Sequence, residues 1–176
     1  MKAKSPQNLT LADLHHLNAA EGWLGLGDVV SASDELEAIT PELRGHPAVL
    51  AVRYDVYAKG AKWDMAAEVA DALVRMMPEQ SASWICLAYS TRRRTGGSIP
   101  EAKEVLLRAA EKFPNEFLIR FNLACYCSQL RQFDEAQAWL KKAMALDEKS
   151  VQKLAIDDPD LHPLWDSLGG TLWKRE

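Results

Sequence analysis

The chain has 176 residues, 48% hydrophobic and 26% charged, the composition of an ordinary globular protein that can bury roughly 70% of its unfolded surface without metal or disulfide staples. Its 21 Lys and Arg against 25 Asp and Glu give a net charge of -4, which argues against a nucleic-acid binder held by phosphate contacts. No stretch approaches the ~18 apolar residues of a membrane span, and the first residues offer no apolar core of ~7 to 15 residues for export, so no membrane partner is expected and the cytoplasm is the expected compartment.

The first 88 residues carry a net -5 and the last 88 a net +1. Thr10 and Asp13 have the spacing of a helix N-terminal cap, and the helix they open carries Ala20 and Trp23 before a turn at Gly27. A second apolar stripe follows at Val29, Ala32, Leu36 and Ile39, spaced by three, four and three residues on one helical face. His46-Pro47 marks the next helix start, with Leu50, Tyr54 and Tyr57 along it and a turn at Gly60. The stripe returns at Trp63, Ala66, Ala70 and Leu73, and Pro78 closes the unit.

The third unit runs through Trp84, Leu87 and Ala88 to the basic run Arg92-Arg93-Arg94, where cations suit a helix C-terminus. After Gly96-Gly97, Ser98 and Glu101 form an S-x-x-E capping box ahead of Ile99, Ala102, Leu106 and Ala109, with Pro114 at the end. The fourth places Leu123 and Ala124 before Phe133, Ala136, Leu140 and Ala143. The alanines Ala32, Ala66, Ala102 and Ala136 are spaced by 34, 36 and 34 residues, and the two extra residues fall in the Thr95 to Ser98 turn. A helix that cannot bury its stripe alone, repeated at a fixed period, implies a stacked solenoid.

Period and columns together resemble the tetratricopeptide repeat (TPR), whose pattern pairs a Trp, Leu-Gly and Tyr helix with an A-x3-F helix and a proline. The match is best over 117 to 147, and Arg53, Tyr54, Arg120 and Glu148 depart from the usual residue types. The resemblance implies an all-α, right-handed α-solenoid of antiparallel helix pairs: a repeat domain over 1–148, a capping segment over 149–168 with a short helix near 149–156, and a flexible tail over 169–176. It also implies that the first helix of each pair lines a concave wall that binds a protein or peptide segment. The wall residues are then Ala51, Asp55, Ile85, Tyr89, Arg92, Leu118, Phe121, Cys125 and Ser128, an apolar face with a basic rim, the alternative being that the chain's own amino-terminal or carboxy-terminal segment fills it. Family members that grip a C-terminal carboxylate use Lys and Asn on these helices. Only Asn122 fits that scheme, so chaperone tails are not expected partners.

No catalytic role is expected, because G-x-S-x-G, H-E-x-x-H and the phosphate-binding glycine motifs are all missing. No metal or other cofactor is expected either. His15 and His16 point about 100 degrees apart on a helix, and Asp157, Asp158 and Asp160 lack the calcium-loop spacing and suit a turn or helix cap. Cys86, Cys125 and Cys127 form no C-x-x-C pair and read as buried thiols. The expected function is a protein-interaction adaptor. A dedicated chaperone for one client, a helical-repeat RNA binder disfavoured by the charge, and a homo-oligomer joined through Trp139, Trp165 or Trp173 of the C-terminal part are the alternatives.

Overall fold

A computed structural model describes residues 8–170 as nine α-helices and two 3-10 turns, with no strand among the described residues. The helices are α1 (Leu11–Leu26), α2 (Val29–Ala38), α3 (Pro47–Lys59), α4 (Trp63–Met76), α5 (Ser81–Thr91), α6 (Ile99–Lys112), α7 (Phe117–Gln129), α8 (Phe133–Ala155) and α9 (His162–Leu168). The chain forms two compact units, Met1–Thr95 and Gly96–Glu176. The sequence stripes become the core. Ala32, Ala66, Ala102 and Ala136 are wholly buried, as are Leu36, Ala70 and Leu106 in the next column. Val29, Trp63, Ile99 and Phe133 each begin the second helix of a pair and are half-buried.

In the first unit, α1 packs on α2 and α3, α3 on α4, and α4 on α5. Leu17, Ala20, Leu36, Ile39, Val49 and Val52 form one core cluster, and Tyr54, Ala66, Ala70 and Leu73 a second. Thr10 and Asp13 form the expected N-terminal cap at the start of α1, and its two bonds are reciprocal, as in a capping box. The same Asp13 carboxylate reaches further and accepts the Thr40 amide at 2.9 Å, tying the beginning of α1 to the end of α2. Together with the Thr10 hydroxyl (2.6 Å) and amide (3.1 Å), these donors hold the Asp13 carboxyl well below the usual carboxylate range, Thr10 contributing most.

A depressed carboxyl stabilises the folded state above its unfolded-state pKa of about 4, and that contribution fades as the pH falls toward the folded value. Asp13→Asn should therefore melt below the wild type at neutral pH, and the gap should narrow as acid is added below about pH 4. Thermal melts at a series of pH values check this, and a gap independent of pH would contradict it.

The turns inside three of the four helix pairs repeat one backbone device. Gly27 ends α1 at φ 88, and the Asp28 amide bonds back to the Trp23 carbonyl at 2.9 Å. Lys62 to Tyr57 (2.8 Å) and Gln132 to Cys127 (2.9 Å) are the same six-to-one bond. The left-handed positions there are Ala61 (φ 54) and Arg131 (φ 58), while the neighbouring Gly60 has an ordinary φ of -82. The glycine at 60 thus marks the turn without occupying its strained residue.

In the second unit, α7 packs on α6 and α8. Lys103, 8% exposed, links α6 to the start of α8 through Glu135 and Gln132, both at 2.8 Å. Helix α8 runs across a break at Asp147 (φ -153, ψ 86), whose side chain accepts the Ser150 amide at 3.1 Å and recaps the chain for a further short stretch ending at Ala155. Val151 and Ala155 on that stretch are fully buried.

Three of the four departures from the repeat pattern have a structural role. Arg53 pairs with Glu37 at 2.6 Å, joining α3 to α2. Tyr54 is buried and donates its hydroxyl to the Cys86 carbonyl at 3.1 Å, joining α3 to α5. Arg120 donates to the carbonyls of Phe113 and Glu116, both at 3.0 Å, across the turn between α6 and α7. No helix among the described residues is long and apolar enough to cross a membrane.

Candidate functional site

The nine residues assigned to a concave wall divide between the two units, and the structure treats the two groups differently. In the first unit, Ala51 and Asp55 are exposed one turn apart on α3. On α5, Ile85 is half-buried and Tyr89 is 39% exposed, while Arg92 caps the C-terminus and is half-buried.

A cavity of about 280 Å³ opens beside these residues. Helix α3 supplies Ala51, Tyr54 and Asp55 to it, and α4 supplies Leu73 with Met77 at its C-cap. The α5 wall is Ala82, Ser83 and Cys86, with Gln80 at the N-cap. Sequence reasoning named Ala51 and Asp55 but missed Tyr54, Met77, Ala82 and Cys86. The spacing of Ala82, Cys86 and Tyr89, by four and then three, is the signal that could have placed them on one stripe.

Tyr89 is held at the far end of this stripe. Its ring meets Trp63 edge-on at 5.7 Å between centroids. The Arg93 guanidinium carbon lies 3.4 Å from the Tyr89 centroid and 5.4 Å from that of Trp63, and Arg93 also donates to the Tyr89 carbonyl at 3.0 Å. An aromatic clamped on two sides loses little rotamer freedom when something binds to it.

Desolvation against the cavity wall, and then the Glu21 carboxylate on α1, raise the Asp55 carboxyl above its ordinary value. Burial, followed by the Asp55 charge, pushes the Cys86 thiol up to about 11. At neutral pH Cys86 is a protonated thiol and not a nucleophile. Tyr54 is driven upward too, chiefly by burial. This site therefore offers shape, apolar wall and one carboxylate, and no activated acid, base or nucleophile.

The second unit presents a covered face. Leu118 is half-buried, but Phe121 (3% exposed), Cys125 (2%) and Ser128 (0%) are enclosed. The chain's own residues 158–164 reach this part of α7. Ser128 Oγ accepts the Leu164 amide at 3.2 Å, Gln129 donates to the Asp160 carbonyl at 3.0 Å, and the Cys125 sulfur lies 3.7 Å from an Asp158 carboxylate oxygen. Asp158 also caps the 3-10 turn Pro159–Leu161 by accepting the Asp160 amide at 2.9 Å, the turn role expected for this acidic run. Leu161, Leu164 and Trp165 are buried beneath it. Of the two possible fillings of the wall, a partner or the chain's own terminus, the terminus occupies this stretch, and it follows α7 more closely than α8.

The remaining candidates find ordinary partners. His16 pairs with Glu35 at 2.8 Å. Among the described residues no group of three or more His, Cys, Asp or Glu is placed to hold a metal ion. Cys125 and Cys127 are buried and Cys86 half-buried, and none of the three is in a disulfide. Of the tryptophans considered for self-association, Trp165 is 4% exposed, Trp139 is half-buried with Lys142 4.0 Å from its ring centroid, and Trp173 lies outside the described residues.

No protein-family model matches this sequence, and no curated protein matches it. Solved structures do. TTC0263, a thermophilic TPR protein of Thermus thermophilus, is similar over 90% of this chain and 89% of its own, with a TM-score of 0.67 at 20% identity. The MamA RS-1 ArsTM double mutant is similar over 78% of this chain and 76% of its own, with a TM-score of 0.67 at 16% identity. MamA MSR-1 is similar over 91% and 88%, with a TM-score of 0.62 at 18% identity.

Proposed function

Because the chain has the fold of the tetratricopeptide-repeat solenoids, we propose that it is a protein-interaction module that holds a polypeptide segment against α3 and α5 of its first unit and catalyses nothing. The observation that carries the reading is the pairing, on one stripe, of an exposed and clamped aromatic, Tyr89, with a cavity that has room for a side chain. Aromatic anchors beside pockets supply a large share of binding energy at protein interfaces. Ala51, Asp55, Ile85 and Arg92 frame the same face. Phe121 is buried, and Cys125 and Ser128 belong to the contact with residues 158–164, so the binding surface assigned to α7 narrows to the half-buried Leu118 and its surroundings.

The test begins with co-purification of the full chain and mass spectrometry to obtain a partner. Tyr89→Ala should then weaken that partner by about 2 kcal/mol, close to thirtyfold, while the helical circular-dichroism signal stays intact. A partner that binds the variant normally would move the interface to the opposite face of the repeats and remove α3 and α5 from the account. Leu14, 39% exposed on α1, provides a control position remote in sequence from the site.

A further inference from the structure

The cavity beside Asp55 has a chemistry of its own, and the following rests on the peptide-binding reading above. At about 280 Å³ it lies near the lower end of the roughly 300 to 1,000 Å³ of small-ligand clefts and has room for one long side chain. Its walls at Ala51, Leu73, Met77 and Ala82 are apolar, and its single ionic group is the exposed Asp55 carboxylate. No lining residue is basic. The cavity's other polar side chains, Gln80, Ser83 and Tyr54, are neutral, and the Tyr54 hydroxyl is already committed to the Cys86 carbonyl.

We infer that this cavity receives a basic side chain of the bound segment, an arginine or lysine whose alkyl stem lies along the apolar wall while its cationic head pairs with Asp55. Long basic side chains are built for that division, an apolar stem ending in a charged head. An acidic guest would face Asp55 with like charge, and the Glu21 carboxylate on α1 adds to that repulsion. A purely apolar guest would cover the carboxylate without pairing it, which is costly. A cation removes both penalties, and its charge offsets the desolvation that already presses Asp55 toward its neutral form. The face is thus divided, with a carboxylate at the cavity and the Arg93 guanidinium over Tyr89, which favours one direction for a bound segment.

The probe is N-acetyl-arginine amide, titrated into the full chain and followed by amide chemical shifts in NMR, with N-acetyl-leucine amide as the uncharged comparison. The arginine probe should shift the amides of Ala51, Asp55, Ala82, Ser83 and Cys86. Its affinity should fall about tenfold or more in Asp55→Asn, the usual loss for a hydrogen bond to a charged group. Ala51→Trp, a change at an exposed position, should fill the cavity and abolish these shifts without altering the circular-dichroism spectrum. Equal binding of the leucine probe, unchanged arginine affinity in Asp55→Asn, or no shift at the cavity would each overturn the inference. None of these outcomes touches the reading based on Tyr89, which stands or falls on the partner's response to Tyr89→Ala.

Discussion

Leu161→Ala combined with Leu164→Ala is expected to bring the second unit close to unfolding. Both leucines are fully buried, one in the 3-10 turn and one in α9, and each such truncation costs about 2 to 5 kcal/mol. Single domains hold only about 5 to 15 kcal/mol in total, so the double variant removes most of the margin. The reason we propose is a capping role: residues 158–168 pack on α7 and cover the face that a solenoid repeat otherwise buries against its neighbour. Removing everything after Glu148 should be worse, because Val151, Ala155 and Trp165 leave the core as well. Urea unfolding followed by circular dichroism measures the first variant, and the soluble yield measures the second. A truncated chain as soluble and stable as the whole would remove the capping role from the account.

This same segment marks where the sequence stops being legible. The repeat columns could be read because burial in a stacked helix pair is periodic, and Ala32, Ala66, Ala102 and Ala136 follow that period into the core without exception. The caps at Thr10, His46 and Ser98 could be read because each is a contact between near neighbours in the chain. What lies over a given helix face is not local. The wall residues Phe121, Cys125 and Ser128 have the right spacing for a groove, but spacing along α7 carries no information about a segment arriving from 158–164. Neither does it reveal that Asp13 reaches Thr40, or that Tyr54 would be fastened to the Cys86 carbonyl and so turn one α5 surface into a cavity wall. The break at Asp147 is a middle case. The Asp147 to Ser150 spacing is a recognisable cap, but it is masked by the strong helix formers on both sides.

Ala20→Trp and Ala124→Trp are expected to destabilise their respective units by about 3 kcal/mol or more, the upper part of the usual range for overpacking. Both alanines have zero exposure, and Ala20 shares its core cluster with Leu17, Leu36 and Val49. Interiors are packed as densely as organic crystals, so an indole placed where one methyl group fits must move helix backbones and not only side chains. The distinguishing feature is position. Trp23 lies on α1 only three residues beyond Ala20 and is 38% exposed, so the helix already carries a large aromatic where space allows. A Trp at 20 and a Trp at 23 differ in the face they occupy, about 60 degrees apart around the helix axis. Trp23→Ala should accordingly cost far less than Ala20→Trp, although it removes a large side chain and the other variant adds one. Melting temperatures of the three single variants settle the order. If Ala20→Trp and Ala124→Trp melt with the wild type, the alanine columns are not the sites of close helix approach, and the repeat phasing built on them is wrong.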